Sequence, residues 1–335
     1  MKTKERLPKL DLNVTNRCNF RCVHCAFDSG VIKMSEPSLL KLSKILRETK
    51  ELGGRRIDIT GGEPTLRKDL AKLISIGKKL GYKIELVTNA SLLDKEKLKK
   101  FKKLGLDGIA ISLDGSNSKV YNSIRGRDKK TFDKVVENIR NSCKLGFYTK
   151  VNTVVFQSNL KNIPKIIELC IKLRVNEFGI YYFTPVGRGN RSREFAVEPI
   201  KWLNFIRKRL RRYVNSGLKI SLEVPLIEKK YFNKNLGCIA NTEKNHLQIL
   251  PNGNVYPCAI LASYNKPIAN LYKSSIKDFW DNKKVWRKYW KDISKLFIKG
   301  CCVNFNAFNI RNYDFKKYAF VCPIKKFNLE EVAGK

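Results

Sequence analysis

Hydrophobic and polar positions follow two periods along the first two thirds of the chain. Residues 10–14 form a short extended run. Residues 36–52 then place Leu39, Leu40, Leu42, Ile45, Leu46 and Leu52 on one side of a helix. Ser35 and Pro37 suit its entry, and Gly53-Gly54 its stop. The alternation continues with extended runs at 56–60, 83–88, 108–113, 148–156 and 177–183. Helical patterns fill 69–80, 94–104, 131–145, 160–173 and 198–215. Strands separated by helices imply a parallel sheet with helices outside it. An open doubly wound sheet and a partial barrel both satisfy this pattern. In both, ligands sit at the carboxyl ends of the strands.

The texture changes after Gly217. Helices shorten, cysteines become frequent, and Pro251-Asn252-Gly253-Asn254 separates two short extended runs, 246–250 and 255–257. That reads as a hairpin. Two domains are expected, at 1–215 and 216–335, since 335 residues exceed one domain of ~100–200.

A hydrophobic share of 43% suffices for a core. Charge changes the picture more: 68 Lys+Arg against 30 Asp+Glu give +38. A polyanionic or acidic partner would suit that balance. The richness in Lys, Asn and Ile also admits biased coding as its source. No run approaches the roughly 18 apolar residues of a membrane span, so no membrane partner is expected. The basic N-terminus lacks an apolar signal region, so no secretory signal is expected and the cytoplasm is the expected compartment. In a reducing compartment, ten cysteines beside two histidines serve metals or catalysis rather than disulfides.

Three of those cysteines form the sharpest motif. Cys18, Cys22 and Cys25 have CxxxCxxC spacing, directly after the first strand. Three thiolates from one loop can hold three irons of a cubane and leave the fourth open. Zinc is the competing occupant; it would need a fourth ligand, and His24 lies between two of the cysteines. A second motif, Gly61-Gly62-Glu63-Pro64, ends the second strand. Its glycines permit close backbone approach, Pro64 stiffens the exit, and a carboxylate there can accept from an ammonium.

With these two loops at adjacent strand ends, the chain resembles the radical S-adenosylmethionine (radical SAM) superfamily over residues 8–215 and beyond. The resemblance implies a partial (β/α)6 barrel, an α/β fold. It implies a [4Fe–4S] cluster on Cys18, Cys22 and Cys25, with the open iron chelated by the amino and carboxylate groups of S-adenosylmethionine. One electron then splits the sulfonium, and the 5′-deoxyadenosyl radical abstracts hydrogen from a substrate. The electron would come from a reductant such as ferredoxin or flavodoxin.

The same resemblance assigns a cofactor pocket. His24 would line the adenine, bordered by Pro185-Val186-Gly187. Gly61, Gly62, Glu63 and Pro64 would approach the methionine amino group. Asn89 ends the third strand. Ser112 and Asp114 would bond the ribose or methionine part, Arg125 would pair with the methionine carboxylate, and Asn152 would face the ribose.

The second domain is similar to the SPASM/twitch extension. Cys238, Gly253 and Cys258 match that family's CX9–15GX4C spacing. The implied content is a small α+β domain with one auxiliary [4Fe–4S] cluster, held by Cys238, Cys258, Cys322 and one of Cys301 and Cys302. The full SPASM cysteine string is missing.

Cys143 and Cys170 lie among apolar helical positions and read as core. Arg207 to Arg212 read as a solvated helix face. Around Lys283 to Lys291, bases mix with aromatics as in single-strand nucleic-acid grooves, yet the apolar members recur at helical core spacing. The expected activity is therefore a radical SAM oxidoreductase or maturase, with peptide or protein maturation favoured and a tetrapyrrole or small molecule as alternative. RNA modification and a non-enzymatic RNA-binding role rank lower. The charge would suit an acidic peptide or a polycarboxylate. With about ten residues before the first strand, recognition would need a separate peptide-recognition protein or the basic surface. No catalytic acid or base is assigned.

Overall fold

The computed structural model describes residues 9–229, 246–262, 266–294, 317–322 and 325–334. Seven strands lie side by side in chain order: β1 (Lys9–Asn13), β2 (Arg56–Thr60), β3 (Lys83–Thr88), β4 (Gly108–Ser112), β5 (Tyr148–Val155), β6 (Glu177–Tyr182) and β7 (Lys219–Glu223). Every neighbouring pair is parallel. Helices α1 (Leu39–Glu51), α2 (Leu70–Lys79), α3 (Lys95–Lys103), α4 (Ser118–Arg125), α5 (Lys129–Lys144), α6 (Ile163–Lys172) and α7 (Pro199–Phe205) make the crossovers. The architecture is a partial barrel of βα units.

Two features fall outside the sequence reading. Helix α4 is short and mostly polar, so it leaves little apolar period to read. Its ends are nonetheless well marked, by the Asn117 side chain accepting from the Val120 amide and by Gly126 at φ 62°. Strand β7 extends the parallel sheet past residue 215. Beyond it come β8 (Leu226–Glu228), β9 (His246–Ile249), β10 (Asn254–Tyr256), β11 (Ala269–Asn270), β12 (Tyr318–Phe320) and β13 (Lys326–Asn328). The hairpin β9–β10 does form, and β9 also pairs in parallel with β1. The long sheet therefore runs β11-β10-β9-β1 through β7 to β13, with β8 and β12 forming a separate pair.

The strands alternate, although a parallel sheet covered on both faces usually reads as continuous apolar runs. Leu10, Leu12, Ile57, Ile59, Ile84, Leu86, Ile220 and Leu222 are buried and belong to the main core with the helices. The intervening Lys9, Asp11, Arg56, Asp58, Glu85, Lys219 and Glu223 face a cavity of about 950 Å³. The apolar core thus lies between sheet and helices, and the inner face of the sheet is polar. In the helix Lys283–Ser294, Trp286 and Tyr289 are buried, and Trp286 Nε1 donates to the Trp280 carbonyl at 2.9 Å. Rings packed this way give no stacking platform for bases.

Candidate active site

The cysteine loop leaves β1 and is braced on three sides. The first brace is the Gly-Gly turn after β2. The Gly62 and Glu63 amides donate to the Thr15 and Arg17 carbonyls, both at 2.8 Å. A methyl group on Gly61 would lie 2.4 Å from the Thr15 carbonyl oxygen, and one on Gly62 2.2 Å from that of Arg17. The close approach these glycines permit is therefore loop on loop. The second brace is Arg188, which sequence reasoning missed. Its amide donates to the Cys25 carbonyl at 2.9 Å. Its guanidinium reaches Asp28 at 2.8 Å, the Cys22 carbonyl at 3.0 Å and the Ser29 carbonyl at 2.8 Å. The glycine before it, Gly187, has φ +56° and sits where a methyl would strike the Ala26 carbonyl. The third brace is Asn89, whose Nδ2 donates to Asn19 Oδ1 at 2.9 Å.

Each thiol has a donor. Cys18 Sγ accepts from the Phe20 amide at 3.4 Å and Cys25 Sγ from the Ser29 amide at 3.2 Å. Cys22 Sγ accepts from Arg125 Nη1 at 3.6 Å. Burial pushes the Cys18 thiol up to about 11. Burial also raises Cys22, with the Arg125 charge opposing it. Burial thus favours the neutral thiol at Cys18 and Cys22, and a bound cation would offset it. Among the described residues, no three His, Cys, Asp or Glu side chains converge as ligands of a single ion.

The structure spends two of the expected cofactor carboxylates internally. Glu63 is fully buried and accepts from Thr88 Oγ1 at 2.7 Å, the Asn89 amide at 2.8 Å, and both the amide and hydroxyl of Thr65. Pro64 is buried at the start of the turn that carries Thr65. Asp114 is also fully buried. It accepts from the Val154 amide at 2.8 Å and from Arg125 Nε at 2.5 Å. Arg125 thus bridges Asp114 and the Cys22 sulfur from the last turn of α4.

Other expected residues face open space. His24, Ser112, Arg125 and Asn152 line the cavity, with Thr184 and Val186 beyond β6. Burial pushes His24 down to about 4. It is therefore neutral near pH 7, and its 3.8 Å approach to Asp114 is no ion pair. Its ring packs on Phe156, with centroids 5.3 Å apart. His24 Nδ1 and Asn152 Oδ1 are buried without hydrogen-bond partners. Such atoms carry a cost unless a ligand or water satisfies them. A nucleoside with hydroxyl and ring nitrogen groups fits that need.

Below this end, the cavity wall is an ion-pair ladder that sequence reasoning also missed. Lys9 pairs with Asp11 and Asp58, and Arg56 with Asp58 and Glu85. Lys150 and Lys219 both pair with Glu177. Lys326 instead donates to Tyr181 Oη at 2.5 Å. The signal was available: KLDLN, RIDIT and KISLE place a charged or polar residue at every second position, two of the three in each being charged. Among the described residues, Glu223 differs from these wall carboxylates in having no ion pair; it accepts from the Tyr182 amide at 3.1 Å.

Burial pushes Glu223 up to about 8, against the pull of Lys326. Its raised value means that folding holds a proton the unfolded chain would release. Its contribution to stability is then full below the ordinary glutamate pKa and is lost as pH rises toward 8. Glu223→Gln removes the titration and keeps the acceptor. Its thermal midpoint should match wild type near pH 5 and exceed it at pH 8, by about 3 kcal/mol of stability. A difference that does not change with pH would show that Glu223 titrates normally.

Of the expected auxiliary ligands, Cys258 and Cys322 are buried. Cys238, Cys301 and Cys302 lie outside the described residues.

A family model of the radical SAM superfamily matches residues 12–170, and one for an iron–sulfur cluster-binding domain, SPASM, matches 238–314. The chain is 34% identical over 236 residues to a probable GTP 3′,8-cyclase of Saccharolobus solfataricus, covering 65% of this chain and 75% of that protein. It is 25% identical over 309 residues to an AdoMet-dependent heme synthase of Methanosarcina barkeri, covering 86% of this chain and 85% of that protein. Among solved structures, Streptococcus suis SuiB bound to precursor peptide SuiA aligns with a TM-score of 0.70 and 18% identity, covering 85% of this chain and 66% of that one. At that identity the likeness speaks for the fold alone. The chain belongs to the radical SAM superfamily, with a SPASM-type iron–sulfur extension. It is an enzyme whose cofactors are S-adenosylmethionine and a [4Fe–4S] cluster, with auxiliary iron–sulfur binding in the extension. Among the described residues, no helix is long and apolar enough to cross a membrane.

Proposed function

We propose that this enzyme matures a peptide or protein substrate by hydrogen abstraction. Cys18, Cys22 and Cys25 would hold the cluster that binds S-adenosylmethionine, and Cys258 and Cys322 would contribute to an auxiliary cluster. When bound, cluster and cofactor supply the 5′-deoxyadenosyl radical. The protein's part is to brace the thiol loop, hold the nucleoside through His24 and Asn152, and keep solvent from the radical. Arg125 keeps a positive charge at Cys22. Ser112 and the backbone of Gly61 and Gly62 complete the cofactor side.

The observation that favours a peptide is the pairing of charge in the cavity. Lys9, Arg56, Lys150, Lys219 and Arg125 each already hold a carboxylate. A triphosphate or a tetracarboxylate would meet Lys326, which is bonded to the neutral Tyr181, but would have to break pairs to engage the other wall cations named here, whereas a peptide segment finds polar partners of both signs. The +38 excess then acts outside this wall, where it can attract an acidic peptide or its carrier protein. A tetrapyrrole substrate is the second reading, favoured by the near full-length alignment with the heme synthase.

The test begins with anaerobic reconstitution, reduction and added S-adenosylmethionine. 5′-Deoxyadenosine should form, and should vanish in Cys22→Ala. About eight irons per chain would indicate two cubanes and about four would indicate one. Coproporphyrin and GTP should each fail to bind the reconstituted protein by equilibrium dialysis. Micromolar binding of either would replace the peptide reading.

A further inference from the structure

The thiol loop presents an apolar pair to solvent. Val31 is 54% exposed and Ile32 48% exposed, only a few residues beyond Cys25. They do not sit on a loose tip. Asn16 Nδ2 donates to the Ile32 carbonyl at 2.7 Å, and the Gly30 amide donates to the Asn16 carbonyl at 2.7 Å. Two adjacent aliphatic side chains on a braced backbone offer a small apolar contact, whose meaning depends on what surrounds it.

The surroundings are cationic. A methyl on Gly30 would lie 3.6 Å from Arg21 Nη1 and 3.6 Å from Cys18 Cβ. The Arg127 guanidinium stands 4.9 Å from the ring centroid of Phe20, the residue before Arg21. Arg21, Lys33 and Arg127 are all exposed. Of the nearby acids, Asp28 holds Arg188 and Glu36 holds Arg17, while Asp128, next to Arg127, caps α5 by accepting from the Thr131 amide at 2.7 Å. The same short segment therefore joins an apolar centre, a positive rim and the backbone that carries Cys18. Elsewhere the loop is covered, by Arg188, by the Gly-Gly turn and by Asn89.

We propose that Val31 and Ile32, with Arg21 and Lys33 beside them and Arg127 against Phe20 of the same loop, form the docking surface for an acidic one-electron carrier protein. This rests on reading Cys18, Cys22 and Cys25 as cluster ligands. In the step served, the carrier loses one electron and the cluster gains it; no bond forms or breaks. A small apolar contact within a charged rim suits a transient electron-transfer encounter, in which charge sets the association rate more than the affinity. The partner's matching surface would carry carboxylates around a small apolar patch.

The probe is a reduced acidic [4Fe–4S] ferredoxin, mixed anaerobically with the reconstituted enzyme while the cluster absorbance is followed. The wild-type rate should fall steeply with added salt. Lys33→Glu/Arg127→Glu should slow it about tenfold at low salt. Photoreduced deazaflavin, a small reductant that needs no docking surface, should bleach wild type and variant equally. Separately, calorimetry with oxidised ferredoxin should give salt-dependent binding to wild type and weaker binding to the variant. A wild-type rate insensitive to salt, or variant rate and binding equal to wild type, overturns the proposal. Loss of deazaflavin bleaching in wild type would count against the cluster reading, while the calorimetric comparison still decides the surface.

Discussion

Gly62→Ala should cost the enzyme most of its N-terminal cluster while leaving the helices largely folded. The added methyl would sit 2.2 Å from the Arg17 carbonyl oxygen and 2.7 Å from its carbon. Both are backbone atoms, so no side-chain rotation relieves the contact. The turn must withdraw, and the amides of Gly62 and Glu63 then lose the Thr15 and Arg17 carbonyls that they hold at 2.8 Å. Two buried hydrogen bonds and the steric strain together amount to about 3 kcal/mol. Most of that loss falls on the segment that leads into Cys18. Iron per chain after anaerobic reconstitution and 5′-deoxyadenosine formation should both drop steeply, with far-ultraviolet dichroism little changed. Wild-type iron content in the variant would show that the two loops are independent.

The second large effect belongs to Asp114. Its carboxylate is fully buried, and the partner Arg125 side chain is 9% exposed, with the two 2.5 Å apart. Removing one member of such a pair leaves the other charge desolvated, at about 3–5 kcal/mol. Asp114→Ala should therefore destabilise the protein by that amount, and it frees a guanidinium beside Cys22. Arg125→Met should be costly for the converse reason. The double variant Asp114→Ala/Arg125→Met should cost clearly less than the two single losses combined, since no uncompensated charge remains. Strict additivity in chemical denaturation would mean that the pair contributes nothing as a unit.

Much of the site was legible because its chemistry is local. Cys18, Cys22 and Cys25 lie within one loop, and a loop after a strand in a βα pattern must open at the carboxyl end of the sheet. Arg188 was not legible, because its four bonds cross more than 150 residues of chain. Glu63 and Asp114 were read by type as groups for a ligand. Only the packing reveals that their oxygens are filled by Thr65, Thr88, Asn89, Val154 and Arg125. The ladder of Lys9, Arg56, Lys150 and Glu177 was visible as alternation, but spacing along one strand does not say which charge on a neighbouring strand it meets.

Residue order alone determined the class of fold and placed three thiols in one loop, since helix and strand periods and loop spacing are short-range properties of the chain; the kind of cofactor came from the family resemblance of that loop and the Gly-Gly turn. Tertiary structure decided which polar groups remain free, because that depends on partners brought from distant strands and on how deeply water is excluded around them.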